Sequence, residues 1–233
     1  MFLASEVRSG STYSAEAIAY ALADLKQCSF WDLAREPLNH ISHASDADDL
    51  RQAIASLWVN EAGFRSAKIL CAQLSILCRE TRRDAELAEA LFGDDSYWLI
   101  VRRRDRISQA VSLAFARDDG VFHAYVPDES DPDSAVSMRD VVSAFSAVAL
   151  SEQFLDEFAT RPARVMSAFY EDIVDDRAGF VRAVAAFIGM PLDDAAQDFA
   201  PPRLTPTRQA AKADTAAQFR TWFLENYHDQ SVA

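Results

Sequence analysis

Cysteine is scarce in this sequence, and long apolar runs are missing. The 233 residues include three cysteines, Cys28, Cys71 and Cys78. Their spacing fits neither a metal site nor a disulfide framework, and an odd number without a basic-then-apolar leader favours a reducing compartment. No stretch of about 18 apolar residues occurs, so no membrane-spanning helix is expected. We therefore predict a soluble, cytoplasmic protein without a metal centre.

Basic residues are also few relative to acidic ones. Lys and Arg number 23 against 36 Asp and Glu, which gives a formal net charge of −13 at pH 7. This balance argues against nucleic acid or an anionic membrane surface as the main partner, but a small anionic ligand can still bind to a local basic group. Half of the residues are hydrophobic, which suffices for a full core. The length predicts a single domain over 1–233.

Short apolar segments alternate with segments of helical periodicity. Strands are predicted at 2–5, 66–70, 97–101 and 164–168. Helices are predicted at 13–25, 46–60, 84–92, 107–116, 138–160 and 216–227, with a further helix that ends at Phe187. The region 29–43 is predicted as a loop with short turns, and the proline-containing stretches 126–134 and 201–206 as surface loops. The alternation predicts an α/β fold of three layers, in which helices flank a central, mostly parallel sheet.

The loop after the first strand combines small residues with one arginine. Ser9, Gly10 and Ser11 allow the backbone to curl so that its N–H groups converge, and the N-terminus of the next helix adds positive potential. Thr12 offers a hydroxyl and Arg8 a fixed charge. The spacing and the lysine of a triphosphate-binding P-loop are missing. The loop therefore predicts a phosphate site, and an ordinary Ser/Thr helix cap is the alternative.

Four arginines lie in the five residues 102–106, directly after the most apolar predicted strand. Ligands of parallel α/β sheets bind at the carboxyl ends of the strands, so this excess of basic charge predicts a second anion site. Ser112 follows Arg104 by eight residues, on the next predicted helix. The alternative is a solvated charge run at a helix entry.

These two motifs together resemble the bacterial sulfotransferase family typified by trehalose 2-sulfotransferase. The resemblance rests on 8–12 and on 104–112, with Arg104-Asp105-Arg106 followed by Gln109-Ala110-Val111-Ser112. It extends to Phe169-Tyr170-Glu171-Asp172 after the last strand and to Arg208-Gln209-Ala210. It implies a P-loop-NTPase-like sulfotransferase fold. It also implies transfer of a sulfuryl group from 3'-phosphoadenosine 5'-phosphosulfate (PAPS) to a hydroxyl of a carbohydrate or glycolipid.

The resemblance also implies roles for individual residues. Arg8 and the backbone of Ser9, Gly10, Ser11 and Thr12 would hold the 5'-phosphosulfate, with Arg8 beside the leaving oxygen. Arg104 and Ser112 would hold the 3'-phosphate, and Arg208 would add a third contact. No metal is implied. Members of the family can form dimers, so a homodimer is a further expectation.

Glu36 resembles the family's general base, in the segment Arg35-Glu36-Pro37-Leu38-Asn39. His40 and His43 are the alternatives, because their intrinsic pKa suits proton transfer. Lys68 resembles a lysine that lies near the sulfuryl group or the acceptor. Where the family has a proline before the first loop, Val7 stands here.

The sequence departs from the family pattern at a second position, because Ala211 stands where the family has an aspartate in its C-terminal element. The departures at Val7 and Ala211 leave two alternatives to the sulfotransferase hypothesis. One alternative is a P-loop-type kinase or nucleotide phosphotransferase, and the other is a non-catalytic nucleotide-binding protein with a degenerate site.

Overall fold

The strands of the described residues form one parallel sheet of four strands. The structure is a computed structural model that describes residues 1–26, 28–120, 122, 136–190, 192 and 208–227. The strands are β1 (Phe2–Ser5), β2 (Ala67–Leu70), β3 (Tyr97–Arg102) and β4 (Arg164–Phe169), in the spatial order β2-β1-β3-β4. Every neighbouring pair is parallel. All four predicted strands are present, and the predicted loops at 126–134 and 201–206 lie outside the described residues.

Ten helices accompany the sheet in the described part of the chain. They are α1 (Ser11–Lys26), α2 (Trp31–Arg35), α3 (Ala47–Ala55), α4 (Cys71–Glu80), α5 (Ala85–Phe92), α6 (Arg106–Asp119), α7 (Met138–Phe158), α8 (Tyr170–Asp175), α9 (Arg177–Phe187) and α10 (Gln209–Tyr227). No helix among the described residues is both long and apolar enough to cross a membrane.

Four helical segments differ from the sequence-based expectation, and one of them is α10, which begins at Gln209 and not at residue 216. Polar side chains explain two of the other three differences. The predicted helix at 46–60 begins after Asp46, whose carboxylate accepts from the Asp49 N–H, and it ends at Ala55. The predicted helix that ends at Phe187 is two helices, because Asp176 caps α9 by accepting from the Gly179 N–H at 2.7 Å. The predicted loop at 29–43 contains the five-residue helix α2.

The two faces of the sheet carry separate apolar clusters. Phe2, Trp98 and Ile100 belong to the cluster that includes residues of α3, α4 and α5, and Leu3 and Leu99 belong to the cluster that includes residues of α1 and α9. This alternation follows from the two-residue period of a strand. Helices thus cover both faces, which confirms the predicted three-layer α/β class.

The chain divides into two compact units. The first comprises Met1–Arg104 and Glu152–Pro202, and it contains the whole sheet. The second comprises Asp105–Ser151 and Arg203–Ala233. Within the second unit, α10 packs against residues of α6 and α7, and its Phe219 lies 5.5 Å from Phe145 between ring centroids. A single domain over 1–233 stays a prediction.

Candidate active site

The loop between β1 and α1 has a backbone that only certain residues adopt without strain. Gly10 has a φ of 89°, and a β carbon added there would lie 2.0 Å from Cδ2 of Tyr170. Glycine is therefore required at this position on two separate grounds. The carbonyl of Gly10 accepts from both the N–H and the hydroxyl of Ser14 at 3.0 Å, which fixes the first turn of α1.

Two serine hydroxyls near this loop are buried without a hydrogen-bond partner among the described residues. They belong to Ser5 at the end of β1 and to Ser9 in the loop, and both residues are fully buried. A buried polar group without a partner costs about 1–3 kcal/mol. The N–H groups of the first turn of α1 also lack acceptors within the helix. A ligand that brings acceptor oxygens to this loop would satisfy both kinds of donor, so the residues present fit a phosphate or sulfate group.

Lys68 connects this loop to the predicted base. Its ammonium group donates to the Thr12 hydroxyl at 2.7 Å and forms an ion pair with Glu36. The Lys68 side chain is 1% exposed and that of Glu36 is 9% exposed. Burial lowers the pKa of Lys68, and Glu36 and the buried Glu16 offset part of that effect. The structure thus brings three predicted site residues, Thr12, Glu36 and Lys68, into one buried group.

The register of the sheet explains why Lys68 reaches α1. Lys68 pairs with Leu3 of β1, and paired residues of neighbouring strands point to the same face. Leu3 belongs to the cluster under α1, so Lys68 also faces that helix. Glu16 lies one turn beyond Thr12 on the same helix. The sequence reasoning missed Glu16, although its spacing of four residues from Thr12 could have indicated it.

Glu36 lies at the end of α2 in a left-handed conformation, with φ 55° and ψ 53°. Its carboxylate accepts from the side-chain amide of Asn39, and its carbonyl accepts from the Asn39 N–H at 3.1 Å. His40 and His43 are exposed, and Nδ1 of His40 lies 2.9 Å from the Pro37 carbonyl. The carboxylate of Glu36 is therefore oriented by Lys68 and Asn39, whereas the two alternative bases face solvent.

Backbone strain coincides with the predicted site. In the described ranges, three residues other than glycine have a positive φ: Arg8 at 62°, Glu36 at 55° and Arg208 at 48°. Such conformations are uncommon for non-glycine residues and concentrate at functional sites. All three are among the site residues that the sequence predicts.

Of the arginines after β3, Arg104 is held by the segment that follows β4. Its guanidinium group bonds both carboxylate oxygens of Asp172, at 2.5 and 2.7 Å, and lies 4.3 Å from the centre of the Phe169 ring. The Arg104 N–H donates to Glu171 at 3.1 Å. The hydrogen bonds between Arg104 and Asp172 raise the pKa of the arginine and lower that of the aspartate. Arg104 is therefore ordered but still half exposed.

The neighbouring arginines have other contacts. Arg102 pairs with Glu152 at 3.2 Å and with Asp156 at 2.5 Å, which indicates a structural role at the end of β3. The Arg103 guanidinium lies 5.3 Å from the centre of the Tyr170 ring. Tyr170 therefore contacts both Gly10 of the first loop and an arginine of the second. The sequence reasoning did not anticipate this contact, because the residues are distant in the chain.

In the second unit, Ser112 and Arg208 are both associated with α6. Ser112 is a buried residue of that helix. Arg208 pairs with Asp119 at 3.5 Å, and its guanidinium lies 5.8 Å from the centre of the Phe115 ring. Phe115 is three residues beyond Ser112, hence on the same side of the helix. That these two residues act together with Arg104 on one phosphate stays a prediction.

Comparison with known protein families identifies the chain. The family model described as Stf0 sulphotransferase matches residues 52–221. The chain belongs to this family. The resemblance inferred from the sequence motifs is thereby confirmed, and the chain is a sulfotransferase. The matched range includes Lys68, Arg104, Ser112 and Arg208, whereas the loop at 8–12 and Glu36 precede it.

A solved structure, the crystal structure of a sulfotransferase from Alicyclobacillus acidocaldarius, is 14% identical to this Stf0 sulphotransferase. The match has a TM-score of 0.45 and covers 94% of this chain and 91% of that chain. No curated protein sequence matches the chain significantly.

Proposed function

We propose that this sulfotransferase moves a sulfuryl group from PAPS to a hydroxyl of a carbohydrate or glycolipid acceptor in the cytoplasm. The observation that carries the proposal is the contact of Lys68 with both Thr12 and Glu36. One buried lysine thus connects the loop assigned to the donor with the carboxylate assigned to the acceptor. Transfer of a group from donor to acceptor requires the donor loop and the base that activates the acceptor to lie close together. A homodimer stays a prediction.

The donor carries two separate anionic groups, and the chain offers two separate sets of cationic and hydrogen-bonding residues. Arg8 and residues 9–12 are assigned to the 5'-phosphosulfate, supported by the buried Ser9 hydroxyl and the N-terminus of α1. Arg104, Ser112 and Arg208 are assigned to the 3'-phosphate. Arg104 is already aligned by Asp172, so a phosphate would share this guanidinium group or replace the aspartate. Two such sets favour a bisphosphorylated donor over a nucleoside triphosphate.

In the proposed reaction the acceptor oxygen attacks sulfur in line with the leaving group. The new bond joins the acceptor oxygen to sulfur, and the bond between sulfur and the 5'-phosphate oxygen breaks. Glu36 takes the proton of the acceptor hydroxyl. Arg8 and Lys68 stabilise the charge that develops on the leaving oxygen, which is the main catalytic contribution expected by analogy with phosphoryl transfer. The products are a sulfate ester and adenosine 3',5'-bisphosphate.

A thermal-shift titration tests the donor assignment. Adenosine 3',5'-bisphosphate should raise the melting temperature of the wild-type chain, and ATP with Mg²⁺ should not. The Arg104→Ala variant should lose the shift, whereas Arg83→Ala, which removes an exposed arginine from the turn after α4, should keep it. A response to ATP with Mg²⁺ alone would favour the kinase alternative. No response to either nucleotide would favour a degenerate, non-catalytic site.

A further inference from the structure

A cleft of about 280 Å³ opens beside α2 in the first unit. Its lining consists of Trp31, Asp32, Arg35 and Trp58. Three of these residues belong to α2, and the next residue in the chain is Glu36, the proposed base. Arg35 of the lining directly precedes Glu36, which caps the C-terminus of α2. The cleft therefore lies on the short helix that leads into the proposed base.

Both tryptophans are held in place by the surrounding structure. Trp31 packs edge-on against Tyr20 of α1, with 5.1 Å between ring centroids and an interplanar angle of 68°. The backbone N–H of Trp58 donates to the Asp32 carboxylate at 3.2 Å, which ties the second tryptophan to α2. A ring contact thus holds the side chain of Trp31, and a hydrogen bond to α2 holds the backbone of Trp58.

The segment around Trp58 is anchored by buried neighbours. Leu57 is 4% exposed, and Asn60 is 6% exposed. The Asn60 side chain donates to the Ser29 carbonyl at 3.0 Å and accepts from the Phe64 N–H at 2.9 Å. Trp58 itself is 49% exposed in this otherwise anchored segment. A large aromatic side chain is therefore kept at the surface by a rigid frame, which lowers the entropy cost of binding a ligand there.

The polar groups of the cleft complement its aromatic surfaces. Arg35 is exposed, and no carboxylate of the described residues pairs with it. One oxygen of Asp32 accepts from Trp58, which leaves the second oxygen as an acceptor. Ligand sites typically combine apolar, aromatic walls with a few such polar groups. A pyranose ring has the matching chemistry, because its C–H face is apolar and its hydroxyls both donate and accept hydrogen bonds.

A larger cleft of about 440 Å³ between 40–45 and α3 has a different character. Three of its polar side chains already have hydrogen-bond partners: Asp49 accepts from the Asp46 N–H, Ser56 donates to the Ala53 carbonyl, and Nδ1 of His40 lies close to the Pro37 carbonyl. It has no aromatic wall in its lining. The smaller cleft is thus the one whose groups suit a sugar.

We infer that the cleft formed by Trp31, Asp32, Arg35 and Trp58 is a binding subsite for a neutral pyranose ring of the acceptor. This inference rests on the proposed function for its catalytic meaning, because it places acceptor recognition on the helix that ends at Glu36. Trp31 and Trp58 bind the apolar face of the ring, and Asp32 and Arg35 bind its hydroxyls. The charges of Asp32 and Arg35 balance, which suits an uncharged ligand.

Binding of simple sugars to the full chain tests this inference without any turnover. The donor site is first saturated with adenosine 3',5'-bisphosphate, and methyl hexopyranosides are then titrated, with tryptophan fluorescence and saturation-transfer NMR as readouts. We expect dissociation constants in roughly the millimolar range, as befits a single ring. Trp58→Ala should weaken binding by about tenfold or more, because it removes an aromatic wall. Val59→Ala, at the next exposed residue and outside the cleft, should leave it unchanged.

Three results would overturn the inference. They are absence of sugar binding in the wild-type chain, wild-type affinity in Trp58→Ala, and preferential binding of tetramethylammonium over every pyranoside, which would indicate an aromatic cation site. The bisphosphate shift is measured in the same samples. Trp58-dependent sugar binding without that shift would support the subsite and contradict the donor assignment. A thermal shift with the bisphosphate but no sugar binding would support the donor assignment and contradict the subsite.

Discussion

Lys68 donates a hydrogen bond of 2.7 Å from its buried ammonium group to the hydroxyl of Thr12, 56 residues away in the sequence. The same ammonium group is paired with Glu36. Three segments of the first unit therefore depend on one side chain. Because the lysine is almost completely buried, its removal should affect both the stability of the fold and the geometry of the site.

Replacement of Lys68 by methionine should lower the free energy of unfolding by about 3–5 kcal/mol. It leaves the buried carboxylate of Glu36 without its partner at similar side-chain volume. Urea unfolding at pH 7 measures the loss. Lys212→Met, at a less buried lysine, should cost less than about 1 kcal/mol. The double variant Lys68→Met/Glu36→Gln should be more stable than the sum of its single effects predicts, and strict additivity would contradict the coupling.

Glu36→Gln should lower kcat by about 10²–10⁴-fold, because the amide cannot take the acceptor proton. The thermal shift caused by adenosine 3',5'-bisphosphate should persist, since the donor loop is unchanged. Sulfate transfer from labelled PAPS to a pyranoside measures kcat. His40→Ala is the matched control and should keep most activity. Wild-type kcat in Glu36→Gln would instead assign the base to His40 or His43.

Gly10→Ala should abolish stabilisation by the bisphosphate. The added β carbon would meet the Tyr170 ring at 2.0 Å, so the loop must move. Gly120→Ala provides the matched control: its φ is 70°, but nothing lies within 4 Å of an added β carbon. That variant should cost only about 1 kcal/mol of conformational strain and keep the bisphosphate shift. Equal effects in the two variants would show that conformation alone, and not contact with Tyr170, determines the outcome.

The pair of Arg104 and Asp172 should make stability depend on pH in the acid range. The guanidinium hydrogen bonds lower the pKa of Asp172 below its ordinary value of 3.8. The unfolded chain therefore binds the proton first, so the contribution is full above that value and is lost as the pH falls through the lower pKa of the folded state. Asp172→Asn should flatten this part of the profile, as measured by thermal unfolding between about pH 5 and pH 2.5. An unchanged profile would assign the dependence to other carboxylates.

The sequence predicted the sheet well because its strands are continuous apolar runs between helical segments. Residues 98–101 are buried on both faces of the sheet, and no other local structure explains that pattern as well. The short helix α2 was missed, because five residues contain little more than one turn of periodicity. The break at Asp176 was missed for a similar reason, since one capping aspartate within a helical pattern is a weak signal.

The candidate site was only partly predictable. The motifs selected Arg8, Glu36, Lys68 and Arg104, but their burial and pairing depend on contacts between distant segments. Lys68 is buried because β2 pairs with β1 in a particular register. Tyr170 meets Gly10 only because β4 and β1 both adjoin β3. Local sequence patterns do not predict such contacts between distant segments.

The positive φ angles of Arg8 and Glu36 have a consequence for the evolution of stability. Glycine would adopt these conformations with less strain, and the relief is of the order of 1 kcal/mol at each position. At Glu36 the loss of the buried ion pair with Lys68 outweighs this relief, so stability alone would favour glycine only at position 8. Stabilising screens should recover Arg8→Gly, and this variant should unfold at a higher temperature while transferring less sulfate. At this position the enzyme thus has a lower folding stability than glycine would give, and it keeps a side chain assigned to the reaction.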